Sequence, residues 1–283
     1  MTSTARNAPR EFRLGLARAA AGSILFTLPM LMTMEMWQLG FYIDPLRLAL
    51  MLLLSLPVLA GLALYSGFEN RITIRGAAVD AFVAFAVGVL TSASVLALLA
   101  VIDASMSPIE VVGKIIIQAI PAGIGAVLAS SQMGGETTED GEDEMQEDES
   151  KGGGGYWREL FLMVAGALFF AFNMAPTEEI VVIANGMTAW HSIMLVFASL
   201  IIMHGFVYKA GFRGQETHPE SHSWWAVFSR FTLTGYALAL CVSLYCLWTF
   251  GRMDGDDPVV FISQAVVLGF PAAIGAAAAR LLL

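Results

Sequence analysis

A chain of 283 residues that is 57% hydrophobic and only 14% charged, at a mean hydropathy of +0.69, has too little polar surface to cover itself in water. That composition excludes a soluble globular domain, and the lack of any basic stripe interleaved with aromatics excludes a nucleic-acid partner. The net charge of −9 says little about partners: nine of the 24 acids fall between Glu136 and Glu149, and the other 15 balance 15 basic residues.

Residues 1–14 read as a cytoplasmic tail with basic residues. The apolar run behind them resembles a signal peptide, but it continues through Pro29 to Trp37 without a small-x-small cleavage site, so it is expected to stay. Lipid cannot satisfy backbone amides, so a spanning segment must be helical and needs ~20 apolar residues to cross a core of ~30 Å. Eight segments qualify, at 15–37, 47–67, 79–102, 109–130, 160–184, 191–210, 228–250 and 258–279. The fold class is therefore an all-α polytopic membrane protein.

Cytoplasmic loops retain Lys and Arg. With both termini inside, twelve basic residues fall on the inner side and only Arg47, Lys114 and Arg252 on the outer half. Trp37, Trp157, Trp224 and Trp225 near segment ends fit the interfacial aromatic belt. Residues 134–156 become a cytoplasmic linker, disordered because its acids repel one another and its GGGG run has no preferred conformation. Residues 15–133 and 157–283 form the membrane body on either side.

Those two parts repeat each other. GSILFTLPMLMTMEM from Gly22 aligns without gaps to GALFFAFNMAPTEEI from Gly166, so that Met30 and Met174, Thr33 and Thr177, and Glu35 and Glu179 coincide. PAGIGA from Pro121 likewise matches PAAIGA from Pro271, where the glycines suit close helix contact. Four crossings in each half is an even number, which predicts two parallel four-helix repeats about a pseudo-two-fold axis along the membrane normal.

The second repeat places Glu178 and Glu179 side by side in an apolar run, where an ionised side chain is costly enough to suggest function. Pro176 just before them is expected to kink that helix and free a carbonyl near Phe172 or Asn173; Pro29 disturbs the first helix a turn earlier. Lys114 stands at the outer end of the fourth span, where it can neutralise a carboxylate, and aligns with Gln264. The same offset pairs Asp80 with Arg230, an exchange of sign that suggests an ion pair, although snorkelling charges at helix ends explain it more simply. His204 in the sixth span is a candidate proton relay or a packed neutral histidine.

Cys241 and Cys246 read as packing residues, and the HPESH loop, His218 to His222, lacks a third metal ligand. There is no zinc-protease, phosphate-loop or nucleophile-elbow motif, so no enzyme is expected, no cofactor is implied, and the identity of any metal stays open.

The paired TMEM and APTEE segments, the eight spans and the acidic linker resemble a bacterial domain-of-unknown-function family of integral membrane proteins. The resemblance covers the whole chain and implies an inner-membrane location, without a mechanism. A fainter similarity is to cation and proton exchangers, whose repeats are typically inverted rather than parallel, so no residue is carried across.

The expected function is a membrane transporter or channel for a cation, proton coupling included. Glu35, Glu178 and Glu179 would bind or relay it, Thr33, Asn173 and Thr177 would supply neutral oxygens, and Lys114 or His204 would tune affinity. The expected partners are the lipid bilayer, a small cation or proton, and a second copy in a homo-oligomer. The alternative is a non-transporting scaffold or sensory module whose acids are structural; a lipid-acting membrane enzyme stands third.

Overall fold

A computed structural model of the chain describes residues 4–65, 73–133, 154–209, 225, 228–255 and 257–282. The acidic stretch at 134–153, expected to be a disordered linker, and the HPESH loop lie outside them. Among the described residues every regular element is a helix, with no strand, and eight helices are long and apolar enough to cross a membrane. Two compact units result, Met1–Asp148 and Glu149–Leu283.

In the first unit, α1 (Thr4–Leu31) is followed by the short α2 (Met34–Tyr42) and then by α3 (Pro45–Tyr65), α4 (Ile74–Leu98) and α5 (Pro108–Met133). In the second, α6 (Gly154–Met174), the short α7 (Glu178–Gly186), α8 (Ala189–Lys209), α9 (Thr234–Thr249, entered through a π-helical turn at Phe228–Leu233) and α10 (Pro258–Leu282) follow the same order. Local chemistry sets several of the starts. Asp44, Ser107 and Asp257 each precede a proline at the first helical position. Their side chains accept amide protons from Leu46, Glu110 and Val259 at 2.9, 3.3 and 2.9 Å.

Helices α4 and α9 also end alike. Ala100 (φ 55°) and Gly251 (φ 70°) adopt the left-handed conformation. Behind them the amides of Val101 and Arg252 reach back to the carbonyls of Leu96 and Leu247, each at 2.9 Å, closing a Schellman turn.

The last helix of each unit is its core. α5 packs against α1, α2, α3 and α4, and α10 against α6, α7, α8 and α9. The aligned glycines lie where backbones meet. A Cβ on Gly125 would fall 2.9 Å from the Gly22 carbonyl oxygen, and one on Gly275 2.4 Å from that of Gly166. The small residues thus let α1 approach α5, and α6 approach α10, more closely than larger side chains allow.

Two span expectations are corrected. The first and fifth segments do not continue as single helices to Trp37 and Ala184. α1 passes through Pro29 and stops at Leu31, and α6 stops at Met174 with Pro176 in the turn behind it. The paired acids therefore belong to separate nine-residue helices, each ~13 Å long and far too short to cross a bilayer. Of the two cysteines, Cys246 is buried and Cys241 exposed; both are free thiols.

Candidate functional site

The break between α1 and α2 is built from its own side chains. The amide and hydroxyl of Thr33 both donate to the Met30 carbonyl, at 3.1 and 2.9 Å, and the Trp37 indole donates to the Leu31 carbonyl at 2.8 Å. These are orphan acceptors of a helix C-terminus, and capping them inside the chain removes a cost that lipid would impose. Thr33 is also the N-cap of α2, but its hydroxyl faces backward and leaves that N-terminus without a side-chain cap.

The second unit repeats the device. The amide and hydroxyl of Thr177 donate to the Met174 carbonyl at 3.1 and 2.8 Å, and Thr177 is the N-cap of α7 with no side-chain cap of its own. Both threonines expected to offer neutral oxygens thus use their hydroxyl protons as caps and keep their oxygen lone pairs. Asn173 donates through Nδ2 to the Phe169 carbonyl at 2.8 Å, while its buried Oδ1 finds no partner among the described residues.

Glu35 and Glu179 occupy the same place, the second residue of a short helix, with Glu178 one residue earlier. An acid there meets the positive end of the helix dipole and the open first-turn amides, which stabilises a carboxylate by ~0.3–1 kcal/mol without any ion. Their burial corrects the sequence reading. Glu35 is half-buried, whereas Glu178 and Glu179, which the sequence sets in an apolar run, are exposed on α7, whose buried face is Ile180 and Ala184.

The carbonyl of Pro176 is met from a distant part of the chain. Nη2 of Arg252, in the α9–α10 turn, donates to it, and Nε of the same guanidinium is buried with no partner among the described residues. Phe172 and Phe250 pack edge to face beside it with centroids 5.9 Å apart. Sequence reasoning counted Arg252 only as an outer charge. In the first unit the equivalent position, by the shared Schellman turn, is Val101.

Each remaining candidate has its own surroundings within its unit. Lys114 is buried and pairs with Glu110 at 2.9 Å, one helical turn earlier on α5; its ammonium also reaches the Val101 carbonyl at 3.4 Å and Met106 Sδ at 3.5 Å. The neutralising carboxylate is therefore Glu110, which the sequence reading passed over although Glu-x-x-x-Lys is the favourable helical order. Beside this pair, α2 and α5 bound an open cleft of about 450 Å³. Asp80 is half-buried on α4. Nδ1 of His204 lies 2.9 Å from the Thr232 hydroxyl, with the Phe228 ring against the imidazole at 5.3 Å. The Arg230 guanidinium stacks over Tyr156 at 4.6 Å, and the Tyr156 hydroxyl donates to the Arg230 carbonyl at 3.2 Å.

Among the described residues, no three His, Cys, Asp or Glu side chains converge as metal ligands. No curated protein and no solved structure matches the chain. A family model does match, over residues 15–283, nearly the whole length. The chain, with its eight apolar helices and interrupted first and fifth spans, is a multi-pass integral membrane protein and belongs to the family described as "Putative integral membrane protein (DUF2391)".

Proposed function

We propose that the protein conducts or carries a cation, the proton included, across a bacterial inner membrane, with both termini cytoplasmic. The observation behind this reading is the recurrence of one arrangement in both units: a spanning helix that stops, a capped turn, and a carboxylate at the second position of a short helix. Interrupted helices expose backbone dipoles that a continuous helix hides, and they are the places where membrane proteins hold ions. In this reading Glu35, Glu178 and Glu179 bind or relay the cation. Arg252 acts as a positioning residue that holds the turn before Glu178.

One observation favours the non-transporting reading. The acids sit where a helix N-terminus stabilises them unaided.

Flux measurements in liposomes decide between the two. Full-length protein should pass at least one of Ca²⁺, Mn²⁺, K⁺ or H⁺ down a gradient. Glu35→Gln and a Glu178→Gln/Glu179→Gln pair should each lower that flux by about tenfold or more, roughly 1.4 kcal/mol of lost stabilisation. Wild-type protein that passes none of the four under either gradient direction removes the transport reading.

A further inference from the structure

The cleft of the first unit is made by two helices that meet closely. Gly40 on α2 and Gly113 on α5 are in backbone contact, since a Cβ on Gly113 would fall 2.2 Å from the Gly40 carbonyl oxygen. This crossing brings the α5 pair Glu110 and Lys114 under the side of α2 that carries Trp37, Gln38, Phe41 and Tyr42. Three aromatic rings and one amide at this spacing share a face, because they fall three or four residues apart on a helix. The opposite face, Met36, Leu39 and Gly40, is buried.

The charge offered to an occupant is decided by how the ion pair is wired. Lys114 has three N–H donors, and Glu110 Oε1, the Val101 carbonyl and Met106 Sδ take them up. Glu110 commits one oxygen and has the lone pairs of Oε2 to offer, and its side chain is the more accessible of the two, 19% exposed against 9%. Phe41 and Tyr42 are largely uncovered, and the faces of aromatic rings attract cations rather than anions. Aromatic faces beside a carboxylate are the recognition chemistry of ammonium groups.

We propose that this cleft binds an organic ammonium group, either a soluble alkylammonium cation or the ethanolamine head of a phospholipid, between Phe41, Tyr42 and Glu110. The site stands whether or not Glu35, Glu178 and Glu179 move an ion, since it uses none of them.

The test uses full-length protein in nanodiscs of phosphatidylglycerol, titrated calorimetrically with tetramethylammonium, with sodium at equal ionic strength as the blank. Native mass spectrometry after release from nanodiscs of mixed phosphatidylethanolamine and phosphatidylglycerol supplies the second arm. Saturable tetramethylammonium binding assigns a soluble cation, and selective retention of phosphatidylethanolamine assigns the lipid head; either supports the site. A Phe41→Ala/Tyr42→Ala pair, on exposed positions that leave the core intact, should weaken the observed binding about threefold to thirtyfold. Lys114→Met should tighten it by freeing Glu110 of its partner. Absence of both binding signals overturns the proposal, as does binding indifferent to the aromatic pair or weakened by Lys114→Met, which would mark an anion site.

Discussion

Removing one partner of the Glu110–Lys114 pair should cost more on the acidic side than on the basic side. In Glu110→Gln the Lys114 ammonium, only 9% exposed, keeps a carbonyl at 3.4 Å and a thioether at 3.5 Å but loses its counter-charge at 2.9 Å. An uncompensated buried charge costs ~3–5 kcal/mol, and the slight exposure of Lys114 puts this case near ~3 kcal/mol. In Lys114→Met the stranded carboxylate is 19% exposed beside an open cleft and can turn toward water, so the loss should be ~1 kcal/mol. The double variant carries no stranded charge. Its cost should fall short of the sum of the single variants by ~2 kcal/mol, the signature of two residues in direct contact. Unfolding of the detergent-solubilised protein by titrated denaturing surfactant measures all three. Equal or reversed costs, or additive losses in the double variant, would refute the assignment of Glu110 as the counter-charge.

Gly113→Ala should destabilise by ~1–3 kcal/mol, because its Cβ would meet a backbone oxygen at 2.2 Å that no rotamer can move. Gly205→Ala, on α8 with nothing within 4 Å, should be neutral or stabilising by up to ~1 kcal/mol; thermal melts of the two side by side check both. Ala100→Gly should raise the melting temperature, since a left-handed alanine costs ~1–2 kcal/mol that glycine avoids; no gain would show that the turn is not strained there. In the α4–α5 loop, the Ser105 hydroxyl, followed by the Ser105 amide, holds the Asp103 carboxyl below its ordinary value of 3.8. A lowered folded pKa gives stability that is full above pH 3.8 and is lost as pH falls through the folded value. The gap between wild type and Ser105→Ala should therefore close on acidification, and a gap that widens contradicts the assignment.

The spans were legible because a run of ~20 apolar residues has one low-energy fate in lipid, whatever else surrounds it. The close crossings at Gly125 and Gly275 were legible for a similar reason: GIGA and AIGA supply small side chains one turn apart. The helix stop at Leu31 was not, and the one at Met174 was legible only as a kink at Pro176. Hydropathy runs on through Met32–Thr33 and Ala175–Thr177, and the stop depends on caps, Thr33 on Met30, Thr177 on Met174 and Trp37 on Leu31, that hydropathy does not register. Once the stops are misplaced, the burial of Glu35, Glu178 and Glu179 follows wrongly.

Glu110 was within reach of the sequence, lying four residues before Lys114 in the favourable order. Arg252 was out of reach, because 76 residues separate it from the Pro176 carbonyl that it caps. By itself the sequence determined what each segment must do in lipid, since transfer free energy and helix geometry act over one segment at a time. Only the tertiary structure decided which distant groups meet, Arg252 on the Pro176 carbonyl and Lys114 on the Val101 carbonyl, because hydrogen bonds need atoms within about 3 Å and the fold alone brings distant residues that close.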